Sequence, residues 1–392
     1  MNGSSVTFTF TAYEEIGPTK DMLFVIIFLI YLASVLANMS LMVLIYLDAS
    51  LHKPMYIFLF SLIFNGLIGS TAVWPKVMGH LVTDVHSASY EACLTQTFFV
   101  FIYGSCTYAM LTVMAYDRYV SIFQPLLYHT IMTPQKVRVL LVVGNFLPAA
   151  VVFGQICLTS GIPLCRYSIH KIFCDNLSVS NLGCSLSTYA LVTNLYGACS
   201  LVFLIVLPIL LILLSYLKII VLSSKVSADA RKKAFATCTP HLLIFLNFSV
   251  SSLFSVIYNR ITHYVPIEVN IFLSSHYILI PPLIHPIIYG LKNQEIKKSL
   301  SKVLSCQLMH EEKTFATHII IFLNFTLSSL FSLIYNRIDP TNLPKEGPIF
   351  VSVLYIIVPP LLHPVMYGMK NKEIKSSLSK ITGTVFPLFP PC

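Results

Sequence analysis

Apolar residues run in stretches too long for the core of a water-soluble protein. Nine of them stand at about 22–47, 55–81, 93–123, 136–158, 191–222, 234–260, 268–291, 315–337 and 348–369. Beyond about 18 residues, such runs read as membrane-crossing helices rather than buried core helices. The segment from Met1 to Lys20 is polar by comparison, with Glu14 and Glu15. The run that follows it exceeds the ~7–15 apolar residues of a cleavable signal, so it predicts a retained anchor with its amino terminus outside.

Composition agrees: 56% of the 392 residues are apolar and 10% charged, against about a quarter charged in soluble domains. The mean hydropathy of +0.78 excludes a disordered chain. The net charge of +9 would suggest nucleic acid in a soluble protein, but here the basic residues cluster in particular loops. With the amino terminus outside, thirteen fall on the inner side of the first seven spans: Lys53, Arg118, Lys136, Arg138, Lys218, Lys225, Arg231, Lys232, Lys233, Lys292, Lys297, Lys298 and Lys302. The outer side receives five, Lys20, Lys76, Arg166, Lys171 and Arg260. That asymmetry obeys the positive-inside rule. Asn2-Gly-Ser4 is then a glycosylation acceptor on the accessible side. Cys93, Cys165, Cys174 and Cys184 fall at or beyond the outer face, where disulfides persist, whereas Cys106, Cys157 and Cys199 lie within spans. Four outer cysteines allow three pairings, and the long loop at about 159–190 gains most from a staple to the third span.

The chain also repeats itself. Residues 241–261, HLLIFLNFSVSSLFSVIYNRI, recur at 318–338 as HIIIFLNFTLSSLFSLIYNRI, and residues 285–302 recur at 363–380. A single repeat of the last two spans is neither a solenoid nor the inverted halves of a transporter. It predicts an extra two-helix hairpin, as if the tail of a paralogue were joined to a complete seven-span protein. Lys370, Lys372, Lys375 and Lys380 then return the carboxyl terminus to the inside.

At the inner end of the third span stands MAYDRYVSIFQPLLY, Met114 to Tyr128. LHKPMY opens the second span, SYLKII closes the fifth, KAFATCTPHL opens the sixth and PPLIHPIIYGLKN lies in the seventh. Together these resemble the ordered signatures of olfactory receptors, rhodopsin-like G-protein-coupled receptors, over residues 20–305. The IFLNFS and NGL wording is similar to a fish-type branch. The resemblance implies an all-α membrane protein: a seven-transmembrane-helix bundle at 22–305, an outer tail at 1–21 and the duplicated hairpin at 306–392. It also implies a small-molecule odorant, a stimulatory heterotrimeric G protein and a plasma-membrane location, with no cofactor, no metal and no nucleic acid.

By the same resemblance, Asp117, Arg118 and Tyr119 form the G-protein switch, with Pro286 and Tyr289 as a hinge in the seventh span. His285 replaces the family's Asn before that proline, and as a buried neutral ring it serves as a hydrogen-bond partner; His241 is read the same way. Cys93 pairs with Cys174 and Cys165 with Cys184. The second span carries Asn65-Gly66 where many relatives have a buried acid, which puts the family's sodium site in doubt. Helical steps inward from Cys93 reach Val100, Phe101, Gly104, Ser105 and Tyr108 on one side of the third span. Ser200, Ser252, Ser255, Tyr258 and Ser275 add hydroxyls from the other spans. None of these is acidic, so a salt-bridged amine is disfavoured and a small neutral or weakly polar ligand fits. Enzymatic motifs such as Gly-x-Ser-x-Gly and His-Glu-x-x-His are missing, and the spans lack the internal carboxylates of an ion-coupled transporter. The remaining alternative is a fused product that is inserted but does not signal.

Overall fold

The computed structural model describes residues 6–83, 85–184, 188–223, 238–253 and 276–306. The chain divides into two compact units, Met1–Ser299 and Leu300–Cys392. In the first, strand β1 (Thr7–Phe10) and the short helix α1 (Ala12–Ile16) precede the long helices α2 (Lys20–Leu47), α3 (Pro54–Val82) and α4 (Tyr90–Phe123). A single turn α5 (Tyr128–Ile131) leads to α6 (Pro134–Ser160), and a loop carrying α7 (Asn176–Ser180) leads to α8 (Thr188–Leu201). A π turn at Val202–Val206 joins α8 to α9 (Leu207–Ser223). Helix α10 covers Cys238–Leu253, α11 Ile280–Lys292 and α12 Gln294–Cys306. Among the described residues, five spans, with α8 and α9 counted as one, are long and apolar enough to cross a membrane.

Local chemistry sets where the helices begin. The Ser89 hydroxyl accepts from the Ala92 N–H at 3.2 Å and starts α4; Thr133 does the same for Lys136 at 3.3 Å, with Pro134 in the first turn of α6. Such side chains satisfy amides that have no partner inside the helix. Apolar content by itself misses these turns, which is why α4 starts at Tyr90 and not at 93.

Helix α4 lies at the centre, packed by α3, α6 and α9, while α2 packs on α3 and α11. The arrangement is inside out relative to a soluble protein. Phe146, Phe153, Leu191, Leu195, Leu214 and Leu217 are all exposed. Asn38, Asn65, Gln96, Asp117 and His241 are buried. Apolar side chains facing outward along several helices suit lipid.

In lipid a backbone carbonyl has no water to turn to. Proline creates such carbonyls, since it lacks the N–H that bonds four residues back. Pro286 leaves the Pro282 carbonyl without its helical donor, and the Asn38 side chain from α2 supplies one at 2.7 Å. Around Pro75 of α3, Gln96 of α4 donates to the Ala72 carbonyl at 2.9 Å. Beside Pro148 of α6, the Cys106 thiol reaches the Asn145 carbonyl at 3.5 Å. Pro208, just past the π turn, breaks the ladder of the fifth span in the same way.

The described residues are mostly helical, as expected, and add one small sheet: β1 pairs antiparallel with β2 (Ser87–Ser89) and parallel with β3 (Ser168–Ile169). Within the first stretch, Phe8, Phe10, Ala12, Tyr13 and Ile16 are buried in one apolar cluster with Trp74, Cys93, Val100, Phe173 and Cys174. The signal is the TFTF alternation, in which each Phe points inward and each Thr outward. The Tyr13 hydroxyl donates to the Ile172 carbonyl at 2.6 Å, tying this cap to the long loop. Asn2, residues 224–237 and the repeated segment at 318–338 and 363–380 lie outside the described residues.

Asn38→Leu is expected to lower stability by about 0.6–2 kcal/mol, the range of hydrogen bonds between membrane helices. Thermal melts of the purified protein in detergent measure it; an unchanged melting temperature would show that the Pro282 carbonyl needs no outside donor.

Candidate functional site

The two ends of α4 carry different chemistry. At its first end, disulfides join Cys93 to Cys174, with Cα atoms 5.4 Å apart, and Cys165 to Cys184, at 5.1 Å. Gln96, one turn along, reinforces the first: its amide oxygen accepts from the Cys174 N–H at 2.8 Å while its amide nitrogen holds Ala72. One side chain thus fixes the loop to two helices. Nearby, Lys171 reaches Asp175 at 2.5 Å, and Asp175 also accepts from the Ser178 amide and hydroxyl. Burial would raise the Asp175 carboxyl, but the Lys171 ammonium and the Ser178 bonds outweigh it and hold it below the ordinary carboxylate value.

Deeper along α4, Val100, Ser105 and Tyr108 are buried and Phe101 is partly so. The Ser105 hydroxyl is spent on the Phe101 carbonyl at 2.8 Å, a bond within its own helix. Tyr108 does reach across: its hydroxyl meets that of Ser252 on α10 at 2.5 Å. A side chain at Gly104 would run into the Tyr277 hydroxyl, so glycine there admits that ring. Ser200 is buried on α8, while Ser255, Tyr258 and Ser275 lie outside the described residues.

Three aromatic residues of this region do not appear among the sequence candidates. Phe248 packs its ring 5.0 Å from Tyr108, 5.6 Å from Tyr103 and 5.8 Å from Tyr277. The Tyr103 hydroxyl donates to the Tyr277 carbonyl at 3.3 Å. Tyr103 sits three residues past Val100, on the same side of a helix, and that spacing was the available signal. Nothing local marks Phe248 or Tyr277, whose relevance comes from contacts between helices. The named residues make an aromatic wall with hydroxyls and no charge.

At the other end of α4, Asp117 is fully buried, and Arg118 donates to one of its oxygens from Nη2 at 2.5 Å and Nε at 3.1 Å. The second oxygen accepts from the Tyr128 hydroxyl at 2.6 Å. Burial and the neighbouring carboxylate both raise the Tyr128 phenol above its ordinary value, so it remains a donor. Tyr128 is the last residue of the motif, yet the sequence shows no reason for it to fold back eleven residues. Tyr119 does not join this clasp; its ring packs 5.1 Å from Phe123, with the Lys218 ammonium 5.9 Å above it.

Beside the clasp, Lys53 and Tyr56 at the start of α3 hold Glu295 of α12 at 2.6 and 2.9 Å. Burial acts to raise the Glu295 carboxyl, and the Lys53 and Tyr56 bonds bring it below its ordinary value. Pro286 is buried, and neither the Tyr289 hydroxyl nor His285 Nε2 finds a hydrogen-bond partner among the described residues. His241 has the structural role expected of it, between the Tyr216 hydroxyl at 2.5 Å and the Leu111 carbonyl at 3.0 Å. Asn65 reaches the Asn145 side chain at 3.0 Å, an amide pair rather than an acid site. Among the described residues no group of three or more His, Cys, Asp or Glu could hold a metal ion.

A family model described as olfactory receptor matches residues 27–307 and again 309–384. Human Olfactory receptor 52B2 is 34% identical over 279 residues, covering 70% of this chain and 84% of that protein. Human Olfactory receptor 8G1 is 35% identical over 312 residues, covering 77% and 97%. Mouse Olfactory receptor 8G17 is 35% identical over 291 residues, covering 72% and 91%.

The Asp175 pair makes a pH test. A carboxyl held low in the folded state stabilises it above the unfolded value of about 3.9, and that contribution is lost as pH falls through the folded value. Asp175→Asn is therefore expected to be less stable than the parent at neutral pH and to lose less stability on acidification. Melting temperatures at stepped pH check this, and parallel curves would remove Asp175 as a contributor.

Proposed function

Since the chain belongs to the olfactory receptor family of G-protein-coupled receptors, and is a multi-pass plasma-membrane receptor and not an enzyme, we propose that it binds a small neutral odorant beside α4, α10 and α11 and passes the event to a stimulatory heterotrimeric G protein at the Asp117 end. One observation carries the reading. Helix α4 bears an uncharged aromatic and hydroxyl wall around Tyr108 and, ten residues on, a closed Asp117–Arg118–Tyr128 clasp.

We assign the sheet and disulfides to the outside and the clasp to the cytoplasm, which agrees with the loop charges. Val100, Phe101, Gly104, Ser105, Tyr108, Ser200, Ser252, Ser255, Tyr258 and Ser275 are the proposed lining, to which Tyr103, Phe248 and Tyr277 are added. An odorant shifts the receptor only through unequal affinity for two states. The Tyr108–Ser252 bond gives it a handle, because a ligand that takes either hydroxyl alters the tie between α4 and α10. Freed from Asp117, Arg118 becomes available to the G protein, while Pro286 and Tyr289 absorb the movement of α11. The unsatisfied Tyr289 hydroxyl favours a state in which it finds a partner.

The family match at 309–384 repeats part of the match at 27–307, which favours an appended second tail. We assign the receptor to 22–305 and the hairpin to 306–392. The first copy is the working one, because alignment of AlaThr-CysThrPro-His at 236–241 with AlaThr-His at 316–318 deletes three residues from the second. Three helical residues span about 4.5 Å, and the missing Cys238, Thr239 and Pro240 precede His241, which bonds α4.

Arg118→Ala is expected to abolish cyclic-AMP responses to a panel of neutral odorants at unchanged surface delivery; full signalling would overturn the switch. Tyr128→Phe should raise basal cyclic AMP, since the clasp loses a bond to a charged group worth about 1.5–3 kcal/mol. Truncation after Lys302 should preserve responses and deletion of 234–302 should eliminate them. The opposite pattern would assign the receptor bundle to the second copy.

A further inference from the structure

The cap holds a group that the receptor function does not use. The Tyr13 ring lies 5.2 Å from the His80 ring and stacks 5.1 Å from His86, and the two imidazoles are 6.3 Å apart. Phe10 closes the group 5.3 Å from His80. His80 is buried at the last turn of α3, and its Nδ1 lies 3.0 Å from the Val85 carbonyl. A carbonyl only accepts, so Nδ1 carries the hydrogen and Nε2 is bare in the neutral ring. Nε2 is buried and finds no hydrogen-bond partner among the described residues.

Neutral, this arrangement costs little. A second proton would turn Nε2 into a charged donor facing apolar walls, and such a charge is expensive to bury without an acceptor. Among the described residues, the charged and titratable groups acting on His80 are Lys76, one turn earlier on α3, and His86. Both carry positive charge when protonated. Tyr13 lies against the ring as a buried phenol whose burial raises it far above its ordinary value, so it supplies no negative charge. Aromatic faces attract a cation, but they do not accept the hydrogen bond that Nε2–H would require.

We propose that His80 is a proton-binding site that unlatches the cap: acid places charge on a buried ring between Phe10 and Tyr13 and drives the β1–α1 segment off α3. Tyr13 then releases the Ile172 carbonyl, two residues from Cys174, and the loop over Val100 loosens. Access of outside fluid to the latch rests on the orientation proposed above. The latch itself does not.

The chain contains one tryptophan, Trp74, fully buried in the same cluster, and it provides the probe. The full chain in lipid nanodiscs, open to buffer on both faces, is titrated from about pH 7.5 to about pH 5.5, across the ordinary imidazole value of about 6.5. Trp74 emission is expected to move to longer wavelength and return on neutralisation. H80Q keeps a donor for the Val85 carbonyl but cannot titrate, and its emission is expected to stay fixed. Hydrogen exchange of residues 7–16 in the unmodified chain, corrected for the intrinsic effect of pH, gives a reading that no variant's folding can confuse. Exchange there should rise several-fold in acid, with the centre of α4 unchanged. Constant emission, constant protection of 7–16, or a full shift in folded H80Q would overturn the latch.

Discussion

A backbone carbonyl inside a membrane must have a donor, and the packing of this protein follows from how its proline-broken helices find theirs. Pro286 leaves the Pro282 carbonyl of α11 open; Asn38 closes it at 2.7 Å. Gln96 serves Ala72 near Pro75, and Cys106 serves Asn145 near Pro148. Each of these bonds joins two helices at a set depth, something that apolar surfaces in lipid do poorly on their own. A helix interrupted by proline is thus tied to its neighbour within one turn of the interruption.

Helix α4 gains most from this. Cys93 and Gln96 anchor its first end to the loop, Cys106 ties its middle to α6, and Leu111 accepts from His241 of α10. With so many fixed points, the helix acts as a rod against which α10 and α11 are judged. The contacts available for change are fewer: the Tyr108–Ser252 pair, the aromatic packing of Phe248, and the Arg118–Asp117–Tyr128 clasp. The aromatic wall and the clasp thus share a helix but not a side chain.

The cap shows how a short stretch acquires structure through its surroundings. Four residues of alternating Thr and Phe would not hold a strand in water. Here Phe8 and Phe10 enter an apolar cluster already made by α3, α4 and the disulfide loop, and β2 and β3 supply partners on both sides. A single tyrosine hydroxyl then links that strand region to the loop beside Cys174. Val100, two turns before Tyr108 on α4, is in this way packed in one cluster with residues from the first sixteen positions.

Much of this was legible in the order of residues. Apolar runs of membrane length gave away the class and the five long spans of the described residues, because lipid demands about twenty apolar residues per crossing whatever their neighbours. The motif from Met114 to Tyr128 holds all three residues of the Asp117–Arg118–Tyr128 clasp, and helical steps from Cys93 reached Tyr108. Information of another kind was needed for the rest. That Tyr128 folds back on Asp117, that Phe248 meets Tyr108, and that Asn38 answers Pro286 across 244 positions are facts of three-dimensional proximity. The chain carries no local mark of them, since hydrogen bonds and ring contacts depend on which helix faces which. Sequence alone determined which segments enter the membrane, through the cost of burying polar groups. Tertiary structure decided which side chains complete one another's bonds, because a donor and its acceptor need only meet in space.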